Sequence, residues 1–146
     1  MRILILNGPN LNWIGKREIS IYGTLSFDEL LKSLQKRFSE HQIVSFQSNC
    51  EGMLIDRLQQ ADSEEDAVIF NPGAYAHTSI ALADAVRSLS IPTVEVHISD
   101  IYKREPFRHH SFTAEACIKN FVGFGMEGYA MAIDFLVKKN QSDLNL

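Results

Sequence analysis

A chain of 146 residues that is 45% hydrophobic and 22% charged has the size and balance of one compact domain, without the charged blocks typical of disorder. Its formal charge of -4 gives no general attraction for nucleic acid or acidic membranes, while leaving room for a local positive pocket that takes a small anion. Cys50 and Cys117 have neither CxxC spacing nor a secretory context, so two free thiols are expected rather than a disulfide.

The first predicted element is a buried strand, Arg2–Leu6, which opens directly into Asn7-Gly-Pro-Asn-Leu-Asn12 and then Lys16-Arg17-Glu18-Ile-Ser-Ile-Tyr22-Gly23. This apolar stretch ends at Asn7, too short for a membrane span and without the build of a signal peptide, so a cytoplasmic location is expected. Ser26 and Glu29 have capping-box spacing, and Phe27, Leu30, Leu31, Leu34 and Phe38 mark the apolar face of a helix ending near Glu40. A strand over Ile43–Gln47 and a short helix over Met53–Gln60 follow, the helix turning Leu54, Ile55 and Leu58 partly inward.

Ala67–Phe70 reads as the third strand, stopped by Asn71-Pro72-Gly73. Thr78 or Ser79 caps a helix whose Ile80, Leu82, Ala83, Val86 and Leu89 are expected in the core. Thr93–His97 is the fourth strand, a polar stretch runs from Ser99 to Ser111, and a weaker strand lies around Ile118–Phe124. The last helix is expected over Glu127–Lys138, followed by a frayed tail over 140–146. This alternation predicts a single α/β domain over residues 1–146, doubly wound, with a parallel sheet covered on both faces.

Polar residues gather after three strands, and the carboxyl ends of parallel strands share one edge. Tyr22 is the candidate base there, and Arg17, five residues before it, is the first choice for favouring its phenolate. Lowering a phenol by two units takes roughly 3 kcal/mol of differential interaction, within reach of a charged hydrogen bond and a second cation. His97 ends a strand and shares a face with Glu95 and Ser99, which suggests that the three reach one ligand. His77 precedes a helix and is suited to hold an anion or the loop. Asn10, Asn12 and Asn71 each offer a donor and an acceptor, whereas Asn7 beside Gly8 reads as a turn residue. Gly73 and the amides after it, together with Arg104 and Arg108, are candidates for an anionic or hydroxylated ligand.

Two further motifs carry little weight. Gly123-Phe-Gly125-Met-Glu-Gly128 matches GxGxxG but follows the last strand, where close strand–helix packing explains it better. His109 and His110 are adjacent and lack a metal-ligand pattern, so neither a metal nor another cofactor is expected. A flavin-binding or phosphoacceptor domain of the same architecture, or a purely structural assembly protein, is the alternative left by the residues alone.

The ordered segments NGPNLN at 7–12, GKRE and IYG within 15–23, QSNCEG at 47–52, NPGAYAHTS at 71–79, VEVHIS at 94–99 and REPFRHHS at 104–111 closely resemble type II 3-dehydroquinate dehydratase. The resemblance extends through GFGMEGY at 123–129 and covers nearly the whole chain. It implies a flavodoxin-like, five-stranded, three-layer α/β/α subunit. The implied reaction dehydrates 3-dehydroquinate to 3-dehydroshikimate in the shikimate pathway of aromatic amino acid biosynthesis, by anti elimination through an enolate and without a Schiff base.

By matching position, the resemblance gives Tyr22 as base, Arg17 as promoter of its ionised form, Asn10 as holder of an enolate-stabilising water, and His97 as acid. Asn71, His77, Ile98, Ser99 and Arg108 resemble substrate contacts, with Arg104 a structural or lid residue. Asp84 resembles a substrate-binding residue contributed across a subunit boundary, in a family that builds a dodecamer from trimers. A lid is expected near 12–23. Trp13, Ile19, Cys50 and Asp100 depart from the usual family pattern; Trp13 and Ile19 bear on lid packing, and Cys50 on a supporting hydrogen bond.

Overall fold

The computed structural model describes residues 1–16 and 19–146, apart from the side chains of Ile21 and Tyr22. Five parallel strands form one sheet: β1 (Arg2–Asn7), β2 (Gln42–Gln47), β3 (Ala67–Asn71), β4 (Thr93–His97) and β5 (Lys119–Val122). Their spatial order is β2-β1-β3-β4-β5, the flavodoxin-like order, so the winding direction reverses between β1 and β3. The helices are α1 (Ile19–Tyr22), α2 (Phe27–Arg37), α3 (Glu51–Glu64), α4 (Ile80–Arg87) and α5 (Glu127–Leu144).

The central strands are apolar on both faces because helices cover both faces. Ile3, Ile5, Ile69, Val94 and Val96 point into a core closed by α2 and α5, through residues such as Leu30, Leu34, Ile133 and Leu136. Their neighbours Leu4, Leu6, Val68 and Phe70 point the other way, onto Leu54, Leu58 and Ala61 of α3 and Leu82 and Val86 of α4. Period-two alternation along each strand thus produces the three layers. The Ser26 hydroxyl accepts from the Glu29 amide and the Glu29 carboxylate accepts from the Ser26 amide, completing the anticipated capping box.

Four expectations need correction. The helix begun at Ser26 ends at Arg37, short of Glu40. The short helix read over Met53–Gln60 is a 14-residue helix, because Ala61 continues the buried stripe of Leu54 and Leu58 by nearly one more turn. Ile80 stands 60% exposed at the start of α4 rather than in the core. Much of the expected tail is helical: α5 runs to Leu144, its last turns supported by a Lys139–Asp143 ion pair one turn apart. Gly128 packs with a virtual Cβ only 3.3 Å from Val96, so strand–helix contact accounts for the last glycine of the GxGxxG stretch. Both cysteines are free. No helix among the described residues is long and apolar enough to cross a membrane.

Candidate active site

A cavity of about 130 Å³ opens at the carboxyl edge of the sheet, across the β1, β3 and β4 ends. From β1 and β3 it receives Asn10, Asn71 and His77; from β4 and the segment after it come His97, Ile98, Ser99, Arg104 and Arg108. Arg17 and the side chain of Tyr22 lie outside the described residues, as do Glu18 and the side chain of Ile21 in the expected lid. Asp84 does not line the cavity. It is exposed on α4 and paired with Arg87 at 3.1 Å.

Two loops interlock at the cavity floor. Gly8 lies so close to Pro72 that a Cβ would stand 2.4 Å from the Pro72 carbonyl oxygen, and a Cβ on Gly73 would stand 3.1 Å from that of Pro9. Gly73 also has φ +59°, a left-handed conformation that glycine adopts without penalty. Asn10 takes φ +67°, and its amide donates to Asn49 Oδ1 at 2.9 Å. The QSNCEG segment therefore steadies the loop that carries Asn10. Cys50, at the start of α3, makes no side-chain capping bond. Asp100 caps the turn at Ile101–Lys103 by accepting from the Tyr102 amide at 3.0 Å.

His97 rests on a buried carboxyl group. Glu95 shares a face with His97, as period two requires, but it is fully buried and, contrary to expectation, does not line this cavity beside His97 and Ser99. Its Oε1 accepts from His97 Nε2 at 2.5 Å and from Ser111 Oγ at 2.7 Å, while Oε2 accepts from Thr113 Oγ1. A carboxylate accepts only, so these three donors suit it. The bond fixes Nε2 of His97 as the donor to Glu95 and leaves Nδ1 as the other ring nitrogen. Thr113 carried no functional signal in sequence, and Ser111 only its place at the end of REPFRHHS; their convergence on Glu95 reveals what they do.

His77 Nδ1 donates to the His110 carbonyl at 2.7 Å, which leaves Nε2 as the acceptor of the neutral ring. Burial holds the His77 imidazole below its usual range, and the nearby His97 and Arg108 act in the same direction; the His110 bond and Glu95 oppose them. The two histidine rings stack with centroids 6.1 Å apart. Arg104 Nη1 approaches Ser99 Oγ at 3.4 Å, and Arg108 Nε donates to Glu105 at 2.9 Å with its guanidinium 5.3 Å from the Phe107 ring. Two arginines give the cavity a cationic rim in a net acidic chain. Trp13 completes the wall, 49% exposed, with Lys16 Nζ 5.3 Å from its ring centre.

Asn71 is buried, and its amide is already engaged: Nδ2 donates to Tyr129 Oη at 2.8 Å and Oδ1 accepts from the Gly73 amide at 3.2 Å. The Gly73 amide, expected to be open to a ligand, is thus bonded to Asn71. Asn7, expected as a turn residue, ends β1 with its side chain buried, its Oδ1 accepting from Tyr129 at 2.9 Å. Among the described residues, no three His, Cys, Asp or Glu side chains group as a metal-holding cluster.

The family model described as dehydroquinase class II matches residues 1–137. A 3-dehydroquinate dehydratase of Lachnoclostridium phytofermentans is 50% identical over 143 residues, covering 96% of this chain and 99% of that protein. The crystal structure of type II dehydroquinase from Butyrivibrio crossotus superposes with a TM-score of 0.90 at 44% identity, covering 93% of this chain and 97% of that one. The type II dehydroquinase of Propionibacterium acnes superposes with the same TM-score at 39% identity, covering 94% and 96%.

Proposed function

This chain belongs to the class II dehydroquinase family, a family of enzymes, and from that premise we propose that it dehydrates 3-dehydroquinate to 3-dehydroshikimate in the shikimate pathway. The observation that carries the reading is the convergence of Asn10, His77, His97, Ser99 and Arg108 on one cavity, with His97 backed by a buried carboxyl group. In the proposed sequence Tyr22, ionised with help from Arg17, removes the proton beside the ketone. The C–H electrons move into the ring to give an enolate, whose oxygen is stabilised by a water held at Asn10. The enolate then collapses to the enone as the tertiary hydroxyl leaves on the opposite face.

His97 supplies the proton that lets the hydroxyl depart as water. Its Nε2–H is held by Glu95, so Nδ1 is the atom that gives the proton up. Arg108, His77, Asn71, Ser99 and the backbone at Ile98 bind the substrate, whose carboxylate suits the arginine rim. No amine adduct is needed in this sequence. Asp84 belongs to the assembly: exposed on α4 beside the exposed Ile80, it suits a contact with the next subunit in a dodecamer of trimers. A cytoplasmic location is part of the same reading.

Ultraviolet absorbance of the conjugated enone formed from 3-dehydroquinate tests the proposal, with wild type and Tyr22→Phe compared and borohydride as control. Borohydride-insensitive turnover, nearly lost in Y22F, is expected. Absence of turnover by folded wild type would overturn the dehydratase reading; wild-type turnover in Y22F would overturn the phenolate base.

A further inference from the structure

Tyr129 is one of the largest fully buried side chains, and it lies far in sequence from every group in the proposed chemistry. It projects from the first turn of α5, its ring edge-on to Phe27 with centroids 5.7 Å apart. Its hydroxyl donates to Asn7 Oδ1 and accepts from Asn71 Nδ2, so one oxygen ties together the last residues of β1 and β3. Those residues face each other in the sheet register, on either side of the point where the winding reverses. The two loops that interlock at the cavity floor start there.

This polar cluster is costly where it stands. Among the described residues Asn7 Nδ2 is buried without a hydrogen-bond partner, and an unpaired buried amide destabilises a fold. A phenylalanine with apolar partners would fill the same space without that penalty. What the hydroxyl adds is orientation. By accepting from Asn71 Nδ2, it turns Oδ1 of the same amide toward the Gly73 N–H, and the Asn71 carbonyl accepts from the Gly8 N–H at 2.7 Å. Were the Asn71 amide to flip, its NH₂ would meet the Gly73 N–H and the turn would lose its bond. Burial pushes the Tyr129 phenol well up, so it stays protonated, both donor and acceptor, and exchanges no proton in the reaction.

We propose that Tyr129 is a positioning residue, whose hydroxyl sets the orientation of Asn71 and, through it, the spacing of the Pro9–Asn10 and Pro72–Gly73 loops across the cavity. The inference rests on the dehydratase reading for its kinetic consequence and on geometry alone for its structural one. Asn10 carries the water proposed to meet the developing enolate oxygen, a contact that strengthens only as charge builds. Misplacing it lowers kcat more than it raises KM.

The test compares Tyr129→Phe with wild type, using Ile133→Val on the same helix as a control for lost core packing. Expected in Y129F are a kcat lower by about tenfold, a KM changed less than about threefold, and faster hydrogen exchange at the Gly73 amide. I133V should lower the melting temperature while keeping kcat within about twofold of wild type. Asn7→Ala, which removes the acceptor of the Tyr129 hydroxyl at a residue outside the cavity, is read the same way and decides the matter if Y129F does not fold. A wild-type kcat, or wild-type exchange at Gly73, in whichever variant folds overturns the positioning role. Should wild type itself fail to turn over 3-dehydroquinate, the dehydratase reading falls, and Gly73 exchange alone still decides whether Tyr129 positions the loops.

Discussion

The floor and the rim of the cavity are built differently. At the floor, Glu95, Ser111 and Thr113 form a buried network beneath His97, and Tyr129 clamps Asn7 and Asn71 together. At the rim, Trp13 is half exposed under Lys16, and Arg108 is held by Glu105, itself a surface residue. Hydrogen bonds on the floor act in a low-dielectric setting with no water to replace a lost partner, whereas rim contacts compete with solvent. Groups that must be poised before substrate arrives therefore belong on the floor, and groups that adjust to it belong on the rim.

The contrast breaks most sharply at His97. His97→Asn should lower kcat by roughly 10²–10⁴, the range for loss of a positioned acid, with little change in KM in steady-state assays. Equal losses in kcat from H97N and from a rim variant would erase the distinction. Next comes the carboxyl group behind it. Glu95→Gln puts an amide NH₂ against groups that now donate to a carboxylate, so stability should drop by about 2 kcal/mol in urea unfolding and kcat by about tenfold.

At the rim the effect should move to binding. Arg108→Ala is expected to raise KM about tenfold while kcat changes less, since a charged hydrogen bond to bound substrate persists into the transition state. A fall in kcat with unchanged KM would place Arg108 in the chemistry instead. The smallest effect concerns His77, which sits between floor and rim. Its folded pKa is depressed mainly by burial, so on acidification the unfolded chain takes up the proton first. The stability that neutral His77 contributes is intact above the ordinary value of about 6.5 and is lost as pH falls through the lower folded value. Melting temperature followed from pH 7.5 downward should fall less steeply in His77→Asn than in wild type.

Local chemistry made much of this protein legible. Short apolar runs and period-3.6 helices established the βα order, and the Ser26–Glu29 capping box marked the start of α2, because those signals depend on neighbours a few residues apart. The polar strand ends marked the sheet edge where the cavity lies, and six ordered segments indicated the family. Ile80 and the far end of α5 were misread for a related reason: an apolar residue at helical spacing does not reveal whether a face is covered, and a polar segment does not reveal that a helix continues.

Tertiary structure decided what each polar group does. Glu95 shares a strand with His97 but meets Ser111 and Thr113 from a later turn, and Tyr129 reaches Asn7 across 122 positions of sequence. A buried side chain is assigned its partner by where the chain returns in space, and in a doubly wound sheet that return is set by the crossovers rather than by spacing along the sequence.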